Sequence, residues 1–463
     1  MSKMMESSLK AIKDLGLNWT PAQKEAYLSK IKVVYLPRLK DPYPENDFYV
    51  AGTPKAKEQW DDYWADKFPP TVRKPYTIRR ETLDMDISRF KYIVKQDESI
   101  IVRDADTKEL VFVAIRDLIP DDEVKHTMTT LCKEITRFRQ NDKRNDAGQL
   151  VHFGYTCGSR DHPCVRLAAP LAAIDTMDKV KKEVDINMRT QGMAGIIWNL
   201  MKCKLPAEII DDYNNTIKKY DYPRMDMQRK DNDFHFKVGD EVVTFETGKN
   251  GLRLPPPSGM SAINYARYTH NESNGNAWIV ACTCKAPQDW TKGGNFYLAS
   301  YGIMLQPRDN TATAWRPGDY HDAILYEMKQ GPERRTGFER RADGAIHTGM
   351  IFEISAFFKT ARRRTPWLDA WKKEKVAYET PSVEAQTPPT EAKTEDDAAN
   401  NSKNKNTKKP VKRAMSSLEG QSKDSEDNEE GRGSTSINTT DDTEDPDDSY
   451  SSYDSSDSSD SEH

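Results

Sequence analysis

Short apolar runs with β-branched residues fill the middle of the chain, and apolar stripes at helical spacing interrupt them. From Phe90 the runs Tyr92-Ile93-Val94, Ser99 to Asp104 and Leu110 to Ile115 read as strands, and the Asp104-Ala105-Asp106-Thr107 turn joins the last two into a hairpin. Thr20 before Pro21 pairs a hydroxyl N-cap with a first-turn proline, which predicts a helix from Pro21. Pro120-Asp121-Asp122-Glu123 places acidic residues at the positive end of a helix that runs to Thr136. Leu150 to Cys157 returns to strand. Apolar stripes then predict two helices, Leu171 to Arg189 and Met193 to Leu205, and a third from Pro206 to Tyr220. From Phe234 to Phe358 short strands are punctuated by Gly and Pro. Such a set suits an α+β fold, a double-stranded β-helix (jelly roll) flanked by helices.

Composition limits how much of the chain this describes. At 463 residues, 36% apolar content and a mean hydropathy of -0.85 are low for a fully folded chain. From Val376 onward aromatic and β-branched residues thin out and the sequence ends in a Ser/Asp/Glu-rich run, which predicts a disordered acidic tail. Three parts follow: residues 1–85, an N-terminal helical and aromatic extension; residues 86–375, the double-stranded β-helix domain; and residues 376–463, the tail. In the extension, Trp60-Asp61-Asp62-Tyr63-Trp64 mixes aromatic with acidic residues, which favours packing on the body over base stacking.

Charge is segregated too. The tail holds 22 acidic and nine basic residues, so a chain of net charge -5 leaves a body near +8. A mildly basic body suits a polyanionic partner. The run Lys403 to Arg413 reads either as a nuclear import signal or as charge balance, and the basic stretches Arg137 to Arg144 and Arg362-Arg363-Arg364 as phosphate contacts or solvated segments. The six cysteines have no paired metal-binding spacing and read as reduced thiols of an intracellular protein. No secretory segment and no run of about 18 apolar residues occurs.

Candidate chemistry gathers in Ser261 to Val280. His270 and Glu272 stand two apart, so on an extended strand both side chains leave one face and can converge on one ion. Ser273-Asn274-Gly275-Asn276 is a turn-forming run, followed by the apolar run Ala277 to Cys282. A third ligand is offered by His321. Two His and one carboxylate leave coordination positions open, as in non-haem Fe(II) oxygenases. Surface histidines or satisfied core histidines are the competing reading. Asp161-His162 and Asp233-Phe234-His235 are weaker candidates, lacking a second His at useful spacing, and no Walker or Rossmann fingerprint occurs.

The segment His270 to Asn276 with the following WIVACT resembles the H-x-D strand, Asn-rich turn and next strand of the TET/JBP family of Fe(II)- and 2-oxoglutarate-dependent nucleobase dioxygenases. Gly293-Gly294-Asn295-Phe296-Tyr297-Leu298 through Leu305, and Pro317 to Ala323, resemble two further segments of fungal members, the second carrying the distal His. The resemblance implies that His270, Glu272 and His321 hold Fe(II), that 2-oxoglutarate and O₂ are consumed, and that a methyl group on a modified base, 5-methylcytosine, is oxidised in DNA. The base must be flipped out of the duplex. The basic run Lys403 to Arg413 carries the expectation of a nuclear protein, and Asn274 and Asn276 shape the site or contact the base, or simply form the turn. Two positions depart from the family: Glu272 stands where it has Asp, and His347 where it has the Arg that anchors the distal carboxylate of 2-oxoglutarate. Arg335, Arg340 or Arg341 would then reach in, or His347 would serve while protonated. The alternatives are an inactive DNA-binding protein of the same fold, or a dioxygenase acting on RNA or protein.

Overall fold

A computed structural model describes residues 3–67, 80–139, 146–158, 163–225, 233–246, 252–329 and 340–363. The expected acidic tail with Lys403 to Arg413, the pair Asp161-His162, Arg335, Arg364 and residues 140–144 of the basic loop lie outside them.

The described residues form a mixed α/β structure. Its nine-stranded sheet runs in the order Lys32–Leu36, Ile100–Asp104, Leu110–Arg116, Thr311–Trp315, Ile279–Lys285, Thr348–Phe352, Ser258–Ala266, Ala147–Gly158, Pro163–Leu167. A four-stranded sheet holds His321–Ala323, Phe296–Leu298, Ile303–Leu305 and Tyr92–Val94. From Ser258 the chain passes repeatedly between the two. Ser258–Ala266 and Ile279–Lys285 lie in the large sheet, Phe296–Leu298 and Ile303–Leu305 in the small one, and Thr311–Trp315 in the large one again. His321–Ala323 then returns to the small sheet and Thr348–Phe352 to the large. The predicted hairpin forms, with Ile100–Asp104 antiparallel to Leu110–Arg116.

The sheets meet through side chains that alternate inward. Val102, Phe112, Ile279 and Trp315 of the large sheet pack with Leu298, Ile303 and Leu305 of the small one. On its other face the large sheet carries the helices Asp122–Phe138, Met177–Lys204 and Ala207–Tyr220. Leu131, Ile135, Trp198 and Tyr213 pack there against Val280 and Phe352. The Tyr213 hydroxyl donates within that layer to the carbonyl oxygens of Phe352 at 2.6 Å and Trp278 at 2.8 Å, which satisfies a buried phenol.

One helix corrects the expectation of two. Met177–Lys204 is continuous, and Leu171 to Thr176 lie outside it. Gly192 and Gly195 stand in its interior, where glycine costs about 1 kcal/mol. Here they admit the hairpin strands Asp233–Val238 and Glu241–Glu246. A Cβ on Gly192 would lie 2.2 Å from the Phe236 ring, and one on Gly195 2.7 Å from the Phe245 ring.

The N-terminal region is woven into the body. The helix at Pro21 forms with Thr20 and Gln23 in a reciprocal capping box. Trp60 and Trp64, on the helix Pro54–Lys67, are buried with Tyr49, Tyr268, Leu325 and Tyr326. Backbone bonds bring the segment beside the metal candidates: Asp47 N–H donates to Thr269 O at 2.9 Å, and Thr269 N–H to Phe48 O at 2.8 Å. No described helix is long and apolar enough to cross a membrane.

Candidate metal centre

His270 and His321 face each other across an antiparallel pair. His270 N–H donates to His321 O at 3.2 Å, and His321 N–H to His270 O at 2.9 Å. The strand expected through His270 and Glu272 ends earlier, at Ala266, so the two ligands sit on an irregular extension that is bridged at His270 to His321. After Glu272 the chain turns away, with Gly275 N–H donating to Ile354 O at 2.6 Å and Asn274 bridging to Ser355. Glu272 is held meanwhile by its N–H donating to Pro317 O at 2.9 Å.

One ligand atom from each of His270, Glu272 and His321 falls within 4.8 Å of the other two, and they are the only such group of three or more among the described residues. Both rings are tied through Nδ1: that of His270 lies 3.1 Å from Tyr268 O, and that of His321 lies 2.7 Å from Asp319 O. A carbonyl only accepts, so each Nδ1 carries the hydrogen and each Nε2 keeps its lone pair. That is the arrangement of metal-ligating histidines. Burial keeps both rings neutral. It lowers the pKa of His270 to about 4, with Arg267 adding to the effect, and lowers that of His321, with His270 adding. Two neutral imidazoles and a carboxylate match a divalent first-row metal with open positions. The ring centroids of Trp315 and Phe296 stand 5.5 and 6.2 Å from His321, and that of Tyr268 stands 5.8 Å from His270.

The residues expected to anchor a carboxylate are placed differently. Arg341 is 1% exposed and its guanidinium is already engaged. Nη2 donates to Asp343 Oδ2 at 2.9 Å and Nε to Asp343 Oδ1 at 3.1 Å, while Nη1 donates to Gly293 O at 3.3 Å. The cation also stacks 4.7 Å from the Tyr326 ring. His347 adjoins it: a Cβ on Gly294 would meet Arg341 Nη1 at 3.0 Å and His347 Nδ1 at 3.6 Å. Burial and the Arg341 charge lower the His347 pKa to about 4, so the expectation of a protonated His347 gives way to a neutral ring at ordinary pH. Arg340 lies at the exposed margin beside it.

The asparagines serve the turn. Asn276 is buried, donates from Nδ2 to Trp278 O at 2.6 Å and to Asp212 Oδ2 at 3.2 Å, and accepts from Ile354 N–H at 3.1 Å. Asn274 is half-buried and reaches Glu353 Oε2 at 3.5 Å. His235 is exposed on its hairpin and pairs with the Thr244 hydroxyl at 2.9 Å.

Two residues near the ligands carried no role in the sequence reading. Asp322 Oδ2 lies 3.1 Å from His270 Nδ1, and its signal was a carboxylate directly after the distal His. Trp315 packs beside His321 with its buried indole Nε1 lacking a hydrogen-bond partner, and nothing in a five-residue strand such as TATAW announces that.

No family model matches the chain, and no curated protein does. Solved structures are similar at low level. NgTET1 in complex with 5mC DNA is 10% identical, over 66% of this chain and 90% of that one, with a TM-score of 0.33. OsALKBH1 is 10% identical, over 53% of this chain and 96% of that one, with a TM-score of 0.25.

Proposed function

We propose that the chain is an Fe(II)-dependent oxygenase on a double-stranded β-helix, acting on the methyl group of 5-methylcytosine in DNA with 2-oxoglutarate as co-substrate. One observation carries the reading. Two facing imidazoles, both tied at Nδ1, and a carboxylate bring their ligand atoms within 4.8 Å of each other. When bound, iron supplies O₂ activation at the coordination positions the three ligands leave open. His270 and His321 would present Nε2 to it, and Glu272 a carboxylate oxygen. Glu in place of the family's Asp adds one methylene, and with it the Glu272 carboxylate still brings an oxygen within 4.8 Å of the two imidazoles. Phe296, Trp315 and Tyr268 set aromatic rings beside the two histidines.

DNA as substrate rests on the family resemblance and on the net positive body, and the base would enter flipped from the stack. A nuclear location rests on Lys403 to Arg413. We assign the oxygenase activity to residues 86–375. The co-substrate rests on the family resemblance, while the Arg341 fork is filled by Asp343 and His347 is neutral. That pairing favours a second reading, a DNA-binding protein that keeps the ligands without turnover.

Succinate release decides between them. Protein loaded anaerobically with Fe(II) is given 2-oxoglutarate, O₂ and a methylated duplex, beside an unmodified duplex and the variants His270→Ala and Glu272→Ala. Methylation-dependent succinate that both variants lose is the expected result. No succinate from protein with confirmed iron overturns the oxygenase in favour of the binding protein.

A further inference from the structure

We propose that Asp322 is the positioning residue that fixes His270 for ligation, a role that rests on the metal reading above. Its two oxygens do separate work. Oδ1 accepts the backbone N–H groups of Arg267 at 2.7 Å and Ala323 at 2.6 Å, which lock the carboxylate in place. Oδ2 stands 3.1 Å from His270 Nδ1. The residue is only 6% exposed, so bulk water does not compete for that contact.

The Tyr268 carbonyl lies at the same 3.1 Å from this nitrogen. The hydrogen bond of Nδ1 goes to the carbonyl, with the carboxylate at ion-pair distance beside it, and both acceptors favour a hydrogen on Nδ1 and a bare Nε2. The carboxylate adds negative charge behind the ring, which makes Nε2 a stronger donor to a cation than a carbonyl alone would. His321 is held by the Asp319 carbonyl, so the two imidazoles differ: His270 has the charged support.

The support is itself anchored. Arg267, whose N–H pins Oδ1, is buried, with Nε 3.4 Å from Asp146 Oδ2 and Nη2 donating to the Tyr268 hydroxyl at 2.6 Å. Asp146 accepts the Tyr49 hydroxyl at 3.0 Å and the Tyr265 hydroxyl at 2.8 Å. A chain of contacts therefore runs from Tyr49, in the N-terminal extension, through Asp146, Arg267 and Asp322 to His270.

One substitution separates the two oxygens. Asp322→Asn keeps an acceptor where Oδ1 receives two N–H groups, and puts an NH₂ donor opposite His270 Nδ1. Histidine-selective ¹⁵N spectra of the metal-free full chain, with His270 assigned through His270→Gln, read the tautomer directly. Titration with Co(II), followed by its visible absorption, reads affinity. The expected result is a His270 ring shifted from the Nδ1–H form in Asp322→Asn, Co(II) affinity lower by about 10- to 100-fold, and an unchanged melting temperature without metal. Wild-type protein that binds Co(II) while Asp322→Asn binds it equally well overturns the Asp322 role alone. So does weakened binding with an unchanged tautomer and a lowered melting temperature, which reduces Asp322 to a structural residue. Wild-type protein that takes up no Co(II) overturns the metal centre and this role together.

Discussion

The metal candidates and the Arg341 cluster hold their side chains in opposite ways. At His270 and His321 the protein spends its hydrogen bonds on Nδ1 and leaves Nε2 bare, so the donors are presented. At Arg341 it spends them on the guanidinium itself, through Asp343 and two carbonyl oxygens, so the cation is occupied. Burial works at both places and drives His270 and His347 alike to a pKa of about 4. A neutral imidazole is what a metal needs and what a carboxylate does not. The same physical pressure thus prepares one cluster for its ligand and unfits the other for the partner the resemblance implies.

The largest expected effect breaks the presented cluster. Glu272→Ala or His321→Ala should lower Co(II) affinity by more than about 100-fold, measured by titration, with the metal-free melting temperature near that of wild type. At the occupied cluster, Arg341→Met should cost about 2 kcal/mol in urea unfolding. That is less than the full loss of a buried pair, because Asp343 reaches solvent. Asp343→Ala sharpens the contrast in the other direction. It opens the fork, and 2-oxoglutarate should then bind several-fold tighter by calorimetry, about 1 kcal/mol. Asn276→Ala should cost about 1–2 kcal/mol, since the Ile354 N–H and the Trp278 carbonyl lose a partner, while Co(II) affinity stays unchanged.

The smallest effect is in acid. The unfolded His347 titrates near 6.5 and the folded one near 4, so the unfolded state binds more protons between those values. The stability tied to a neutral His347 is therefore complete above pH 6.5 and declines as the pH falls towards 4. His347→Gln should flatten that part of the curve of unfolding free energy against pH.

Much of this was legible where chemistry and local pattern coincide. His270 and Glu272 stand two apart before an Asn-Gly turn, and His321 heads a short segment after a Pro-Gly turn, so ligand types and their order were visible in the letters. The hairpin at Asp104 and the cap at Thr20 follow from local rules and formed. The unbroken helix through Gly192 and Gly195 was not legible, because its cause is two phenylalanines on a hairpin elsewhere in the chain. Nor was the occupation of Arg341. An Arg-x-Asp spacing carries no geometry by itself, and burial among Tyr326, Gly293 and Lys292 decides it. Asp322 was in view, but its use depends on the bridge between His270 and His321, which only the fold supplies.

The central claim is that His270, Glu272 and His321 hold one iron with positions left open. Nitric oxide added to the anaerobic Fe(II) protein, read by electron paramagnetic resonance, tests both parts. The account predicts a high-spin iron–nitrosyl signal at one equivalent per chain, absent in Glu272→Ala and in His321→Ala. No signal in the wild type, or an equal signal in those variants, would contradict it.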